Sequence, residues 1–206
     1  MLSSGVVVVY TLRVNMSVAA PQMKVDLNWT EVQKGYVLSS FYWGYALGQL
    51  PASFYAQKFG SKTLFGLSIL IPSFLTLLVP VACRYHFSLA LFIRMAIGFF
   101  ESASFPAIYH FFPHWIPLEE KTVMFSTTIA GSFLGEIIAF SLSGLLVSGE
   151  IEVNNTQIDG WPSVFYLFGF IGILWYPYWM YMAYETPGQH PYMSNEERAL
   201  IQHGKE

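Results

Sequence analysis

Four ionisable side chains stand inside stretches that are otherwise apolar: Arg13, Arg94, Glu101 and Glu136. An ionised group at the centre of a bilayer costs at least ~2.5–3.5 kcal/mol, so each of the four asks for a partner or a ligand. Arg94 and Glu101 are seven residues apart, about 700° of helical rotation and so ~20° short of two full turns. They therefore share a face with Ile97, Gly98 and Phe105, with about 10 Å between their backbones. At that distance long side chains either approach each other or hold something between them. A carboxyl beside a guanidinium in an apolar cavity has the means to exchange a proton as an anion arrives, which is the chemistry of proton-coupled anion movement. The alternative is a buried structural ion pair that only positions the helix. Arg13 has no carboxylate within its own helix, and with Asn15 two residues on it suits an anionic ligand. Glu136 lies in the small-residue series Gly131, Gly135 and Gly144, which reads as a close-packing seam, and structural burial and proton binding are equally open for it.

Two further constellations carry less. His110 and His114 have the spacing of a helical metal pair, but Pro113 between them disrupts the turn and no third ligand is evident, so no metal and no cofactor are expected. In Phe41-Tyr42-Trp43-Gly44-Tyr45, the residues expected to line a cavity are Tyr42 and Tyr45, because a phenol hydroxyl needs a partner when buried.

These residues need a scaffold, and the composition says which kind. Of 206 residues 54% are hydrophobic, 18% aromatic and only 11% charged, and the mean hydropathy is +0.44. Stretches 35–57, 63–83 and 160–184 carry no charge at all, and each reaches the ~20 residues that cross a hydrocarbon core as a helix. The apolar runs are continuous rather than alternating, which disfavours a β-barrel. A soluble enzyme and a disordered tail are excluded, and so is a nucleic-acid partner, since a net charge of -3 offers no basic surface. The single cysteine, Cys83, excludes a disulfide framework.

The reading is an all-α membrane protein of six transmembrane helices, approximately 2–23, 32–56, 63–82, 87–113, 122–148 and 161–184. Short loops make neighbouring helices antiparallel. The apolar start is not read as a cleavable signal, because its basic residue, Arg13, follows the apolar run. Lys58, Lys62, Lys121, Arg198 and Lys205 fall on one side and Lys24, Lys34 and Arg84 on the other, which places both termini in the cytosol. The acceptor sequons at Asn28 and Asn154 fall on the less basic, opposite side, as glycan sites must. Residues 187–206 form a cytosolic tail, in which Ser194-Asn195-Glu196-Glu197 has the form of a capping box opening a short amphipathic helix to about His203.

Ordered strings along almost the whole chain resemble the anion:cation symporters of the major facilitator superfamily, which include vesicular glutamate transporters, sialin and the sodium–phosphate cotransporter group. The strings are Leu12-Arg13-Val14-Asn15-Met16-Ser17, Ser39-Ser40-Phe41-Tyr42-Trp43-Gly44-Tyr45, Arg94 through Glu101 to Pro106, Gly160-Trp161-Pro162-Ser163, and Tyr184-Glu185-Thr186-Pro187 with His190-Pro191. The resemblance covers the family's first half: six helices of a twelve-helix fold whose two bundles enclose the substrate. It implies that Arg13 and Arg94 hold a small anion and that Glu101 couples protonation to movement. Asn15, Tyr42 and Tyr45 are counted with the substrate site, and Glu136 with proton coupling. His110 matches a histidine common at the end of the family's fourth helix.

Departures accompany the matches. Ile97 stands where sialin-like members carry a second carboxylate and glutamate-transporting members an amide. Leu38 stands where vesicular glutamate transporters carry a histidine. The superfamily's pattern Asp-Arg-x-Gly-x-Lys between helices 2 and 3 becomes Gln57-Lys58-Phe59-Gly60-Ser61-Lys62, without the acid, which implies a weakened latch there. The expected function is symport of small organic or inorganic anions with H⁺ or Na⁺, in a plasma, lysosomal or vesicle membrane, together with a C-terminal six-helix half. The alternative is a half-size membrane protein that binds or regulates a full-length relative.

Overall fold

A computed structural model describes residues 1–116, 120–148, 152–153, 156–157 and 160–189. Its helices are α1 (Leu2–Asp26), α2 (Glu31–Phe59), α3 (Ser61–Tyr85), α4 (Phe87–Glu101), α5 (Ser104–Trp115), α6 (Lys121–Val147) and α7 (Gly160–Met182). Two-residue strands β1 (Glu152–Val153) and β2 (Thr156–Gln157) pair antiparallel between α6 and α7, and a 3₁₀ turn covers Pro187–Gln189. Asn154 and the expected tail helix lie outside the described residues.

With α4 and α5 taken as one span, five segments among the described residues are long and apolar enough to cross a membrane. The sixth, α2, has 29 residues, about 43 Å at 1.5 Å per residue. It is less apolar because Tyr36, Ser39, Ser40, Tyr42, Gln49, Ser53 and Tyr55 are spread along it. α1 packs on α6 and α7, α2 on α4, and α3 on α4, α5 and α7.

The connections are shorter than the charges and breakers suggest. Gly60 alone separates α2 from α3, and His86 alone separates α3 from α4. Gly60 has φ +85, the left-handed region in which only glycine is unstrained, so the chain reverses in one residue. At the other end of α2, Thr30 and Gln33 form a reciprocal capping box. Asn28 before it is exposed at φ 52, a conformation asparagine tolerates. Trp29, within the same sequon, is buried edge-on against Phe87.

The expectation of one continuous helix over 87–113 is corrected: the α-helical ladder stops at Glu101 and restarts at Ser104. Pro106 is the cause, since it cannot donate to the Ser102 carbonyl and its ring crowds that turn. Two hydroxyls take up the local slack, Ser102 Oγ donating to Phe99 O at 2.7 Å and Ser104 Oγ to Glu101 O at 2.7 Å. Pro113, by contrast, leaves α5 intact to Trp115, and His114 Nδ1 lies 2.9 Å from the His110 carbonyl. The small-residue seam is also revised. A Cβ on Gly131 would meet Ser3 O at 2.7 Å and one on Gly135 would meet Val7 O at 2.6 Å, so both pack on α1, whereas Gly144 faces open space.

The acid missing between α2 and α3 is replaced from a distance. Glu185, just beyond α7, accepts from Ser61 N at 2.6 Å and Lys62 N at 2.8 Å, capping the start of α3 with both carboxylate oxygens. Trp179 Nε1 donates to Lys62 O at 2.9 Å beside it. At the opposite end of α7, Trp161 Nε1 donates to Asp26 Oδ2 at 2.8 Å, with Arg84 over the Trp161 ring. Two apolar cores fill the bundle. One gathers Val6, Val9, Leu12, Phe65, Ile108 and Trp179. The other gathers Met16, Met23, Val79, Ile97, Trp161 and Phe165. Arg13 sits on α1 between Leu12 of the first and Met16 of the second.

Candidate substrate site

The α2–α4 crossing builds the site. A Cβ on Gly44 would lie 1.8 Å from Met95 O and one on Gly98 2.0 Å from Phe41 O, so the two backbones touch where neither residue has a side chain. That contact pushes the ring of Phe41, fully buried, into the middle of the bundle. α1 brings Arg13 to the same place, and α4 brings Arg94 and, at its last turn, Glu101.

The pairing differs from the one suggested along α4. Glu101 is bonded to Arg13 of the neighbouring helix, Nε to Oε1 at 2.8 Å, with the glutamate side chain fully buried and the arginine 18% exposed. Arg13 is therefore not a lone guanidinium. A helix fixes only which residues share its own face; which helix lies against that face belongs to tertiary packing. Arg94, 3% exposed, has no ion pair among the described residues. It lies instead against Phe41, with its guanidinium carbon 5.3 Å from the ring centroid. Arg13 contacts three rings, those of Tyr10 at 5.0 Å, Phe41 at 5.4 Å and Tyr45 at 5.0 Å.

Several buried polar atoms here lack a protein partner: Arg13 Nη2, Arg94 Nε, Glu101 Oε2 and both amide atoms of Asn15. Two guanidiniums against one carboxylate leave one net positive charge. Such a cluster can accept an anion and can lend the free carboxylate oxygen to a cation.

The remaining expected residues are distributed unevenly. Asn15 is fully buried, one turn along from Leu12. Tyr45 lies over Arg13, while Tyr42 is 63% exposed, so its hydroxyl has no need of a protein partner. Glu136 is half-buried on α6, one residue from Gly135, where a Cβ would touch Tyr10 Cβ at 2.9 Å. No hydrogen bond or ion pair joins it to Arg13 or Glu101. Tyr10 was not anticipated as a site residue, although its place three residues before Arg13 on one face could have found it. Phe41 belongs to the aromatic cluster 41–45, in which the hydroxyls rank Tyr42 and Tyr45 above it; that it meets both arginines depends on packing between helices.

The architecture is that of an all-helical membrane bundle with an ionic cluster among its helices, and its family is shown by sequence. The chain belongs to the Major Facilitator Superfamily, whose family model matches residues 2–203. It is similar to vesicular glutamate transporter 1 of Bos taurus, 37% identical over 179 residues, 87% of this chain and 30% of that protein. Vesicular glutamate transporter 3 of Danio rerio is 36% identical over 183 residues, 89% of this chain and 30% of that protein. The chain thus spans under a third of the length of these relatives. Among solved structures, a bacterial homolog of the human lysosomal transporter Spinster superposes in its inward-facing, occupied conformation with a TM-score of 0.75. That match covers 90% of this chain and 43% of the other at 20% identity, and it speaks to the fold alone. The same homolog in its inward-facing, unoccupied conformation gives a TM-score of 0.75 at 18% identity.

Proposed function

We propose that this chain forms the N-terminal six-helix bundle of a secondary active symporter of small organic or inorganic anions, coupled to H⁺ or Na⁺. One observation carries the reading: a buried guanidinium, Arg94, and a partly buried one, Arg13, gather near one buried carboxylate, with a donor atom of each arginine unpartnered. An uncompensated guanidinium at that depth costs at least ~2.5–3.5 kcal/mol, which an arriving anion offsets. Relatives named as vesicular glutamate transporters support a carboxylate-bearing cargo and a vesicle membrane.

In this scheme Arg13 and Arg94 hold the anion, with Asn15 and Tyr45 lining its seat and Tyr42 at the mouth. Glu101 exchanges its bond to Arg13 for a proton or a cation when the anion engages Arg13. Glu136 is a second proton site at the rim. A C-terminal bundle completes the cavity, both termini face the cytosol, and Asn28 and Asn154 carry glycans on the other side. Rocking the two bundles would expose the site first to one side of the membrane and then to the other.

The test is uptake by the complete transporter in proteoliposomes, with L-glutamate and inorganic phosphate as probes. Arg94→Ala should abolish uptake while membrane insertion is retained, and normal uptake would sink the assignment. Glu101→Gln should leave residual transport insensitive to a pH gradient, and an unchanged pH response would remove its coupling role.

A further inference from the structure

Arg94 and Glu101 are both buried on one face of α4, each with an unpartnered atom aimed at no other protein group: Arg94 Nε and Glu101 Oε2. Their backbones are about 10 Å apart, a gap two long side chains can close. Coulomb attraction in so apolar a place favours a direct bond between them, and Glu101 has a second oxygen to give. Yet no such bond forms. Both guanidiniums are held against one ring instead, Arg13 at 5.4 Å and Arg94 at 5.3 Å from the Phe41 centroid. The ring is fully buried, on a helix whose backbone touches α4 at Gly98, one turn from Arg94.

We infer that Phe41 is a positioning residue, a cation–π spacer that keeps Arg94 off the second oxygen of Glu101 and so leaves its guanidinium donors available to an anion. The ring offers Arg94 an electrostatic alternative to the carboxylate, because the negative face of the aromatic attracts a desolvated guanidinium. Without it Arg94 closes on Glu101, and fewer guanidinium donors are left for a ligand. This inference rests on reading the cluster as an anion site, but its test needs no anion.

The experiment is a double-mutant cycle, Arg94→Met against Glu101→Gln, read as thermal unfolding of the full chain in detergent, first with Phe41 present and then in the Phe41→Leu background. The expected coupling is small with Phe41 and larger by about 4 °C or more without it, the size of shift a new buried pair gives a chain of this length. Phe41→Tyr, which keeps both the ring volume and the π face, should restore the weak coupling. Should Phe41→Leu fail to fold, ring-fluorinated phenylalanine at position 41 keeps the volume while weakening the π face, and the coupling should rise with fluorination. Equal coupling in all backgrounds, or strong coupling with Phe41 intact, would overturn the spacer. Coupling that rises in the Phe41→Leu background as expected, with no anion binding by the complete transporter, would instead sink the anion-site reading and leave the spacer standing.

Discussion

Gly98→Ala tests whether the α2–α4 contact really sets the site. The added methyl would sit 2.0 Å from Phe41 O and 3.0 Å from Tyr45 N, both backbone atoms that cannot rotate away. To reach 3.0–3.4 Å, α2 must retreat from α4 by about 1.0–1.4 Å. Overpacking of this kind costs ~1–3 kcal/mol, which corresponds to ~2–12 °C in thermal midpoint for a chain of this size. The functional cost should be larger than the stability cost. Phe41 moves with α2 while Arg94 stays on α4, so the 5.3 Å stacking distance opens toward the ~6 Å limit at which cation–π attraction fades. A 1 Å misplacement of a binding group can cost on the order of 10²-fold in rate. The assays are thermal unfolding of the purified chain and uptake by the complete transporter carrying the same change. A midpoint within 1 °C of the parent, together with uptake within about twofold, would refute the claim that this backbone contact positions the cluster. Gly144→Ala is the control: nothing lies within 4 Å of its added methyl, and it should be neutral or slightly stabilising.

Asn15→Leu should raise the thermal midpoint of the chain while lowering uptake by the complete transporter, because it removes two buried polar atoms that no protein group satisfies and that cost ~1–3 kcal/mol each; a fall in both would refute a ligand-directed role. Glu185→Ala should destabilise by about 1–3 kcal/mol, the expense of leaving the Ser61 and Lys62 amides unbonded, measured by thermal unfolding and by faster proteolysis between α2 and α3. An unchanged cleavage rate would refute the cap. Glu31, outside the membrane, is hydrogen-bonded by Lys24 and Lys34, and these bonds hold its carboxyl down at about 2. A depressed carboxyl stabilises the fold above its ordinary value near 4.5 and loses that contribution as pH falls toward 2. Carbon NMR titration should therefore find Glu31 still ionised at pH 4, and a midpoint at 4.5 or above would refute the latch.

Much of this protein was legible one helix at a time. Charge-free runs such as 63–83 and 160–184 announce spans because no other structure satisfies a backbone in lipid. Arg13, Arg94 and Glu101 announce a site because a charge at that depth needs a reason. Pro106 was equally visible in the sequence, but nothing local separates it from Pro51, Pro72 or Pro177, which their helices absorb. The difference lies in the serines that gather at the α4–α5 break, one of them, Ser104, also meeting Ser68 of α3 at 3.0 Å.

The sequence by itself determined the medium, the order of the apolar spans, and which side chains are too costly to bury without purpose, since these follow from composition and the 3.6-residue period. Only the tertiary structure decided the partners. Glu101 bonds Arg13 across 88 positions, Glu185 caps a helix more than 120 positions away, and Phe41 comes to stand between two arginines from other helices. Helical periodicity orients a side chain within its own helix. Which neighbour meets it depends on where two backbones can approach, and here that is set by bare glycines at the α2–α4 crossing.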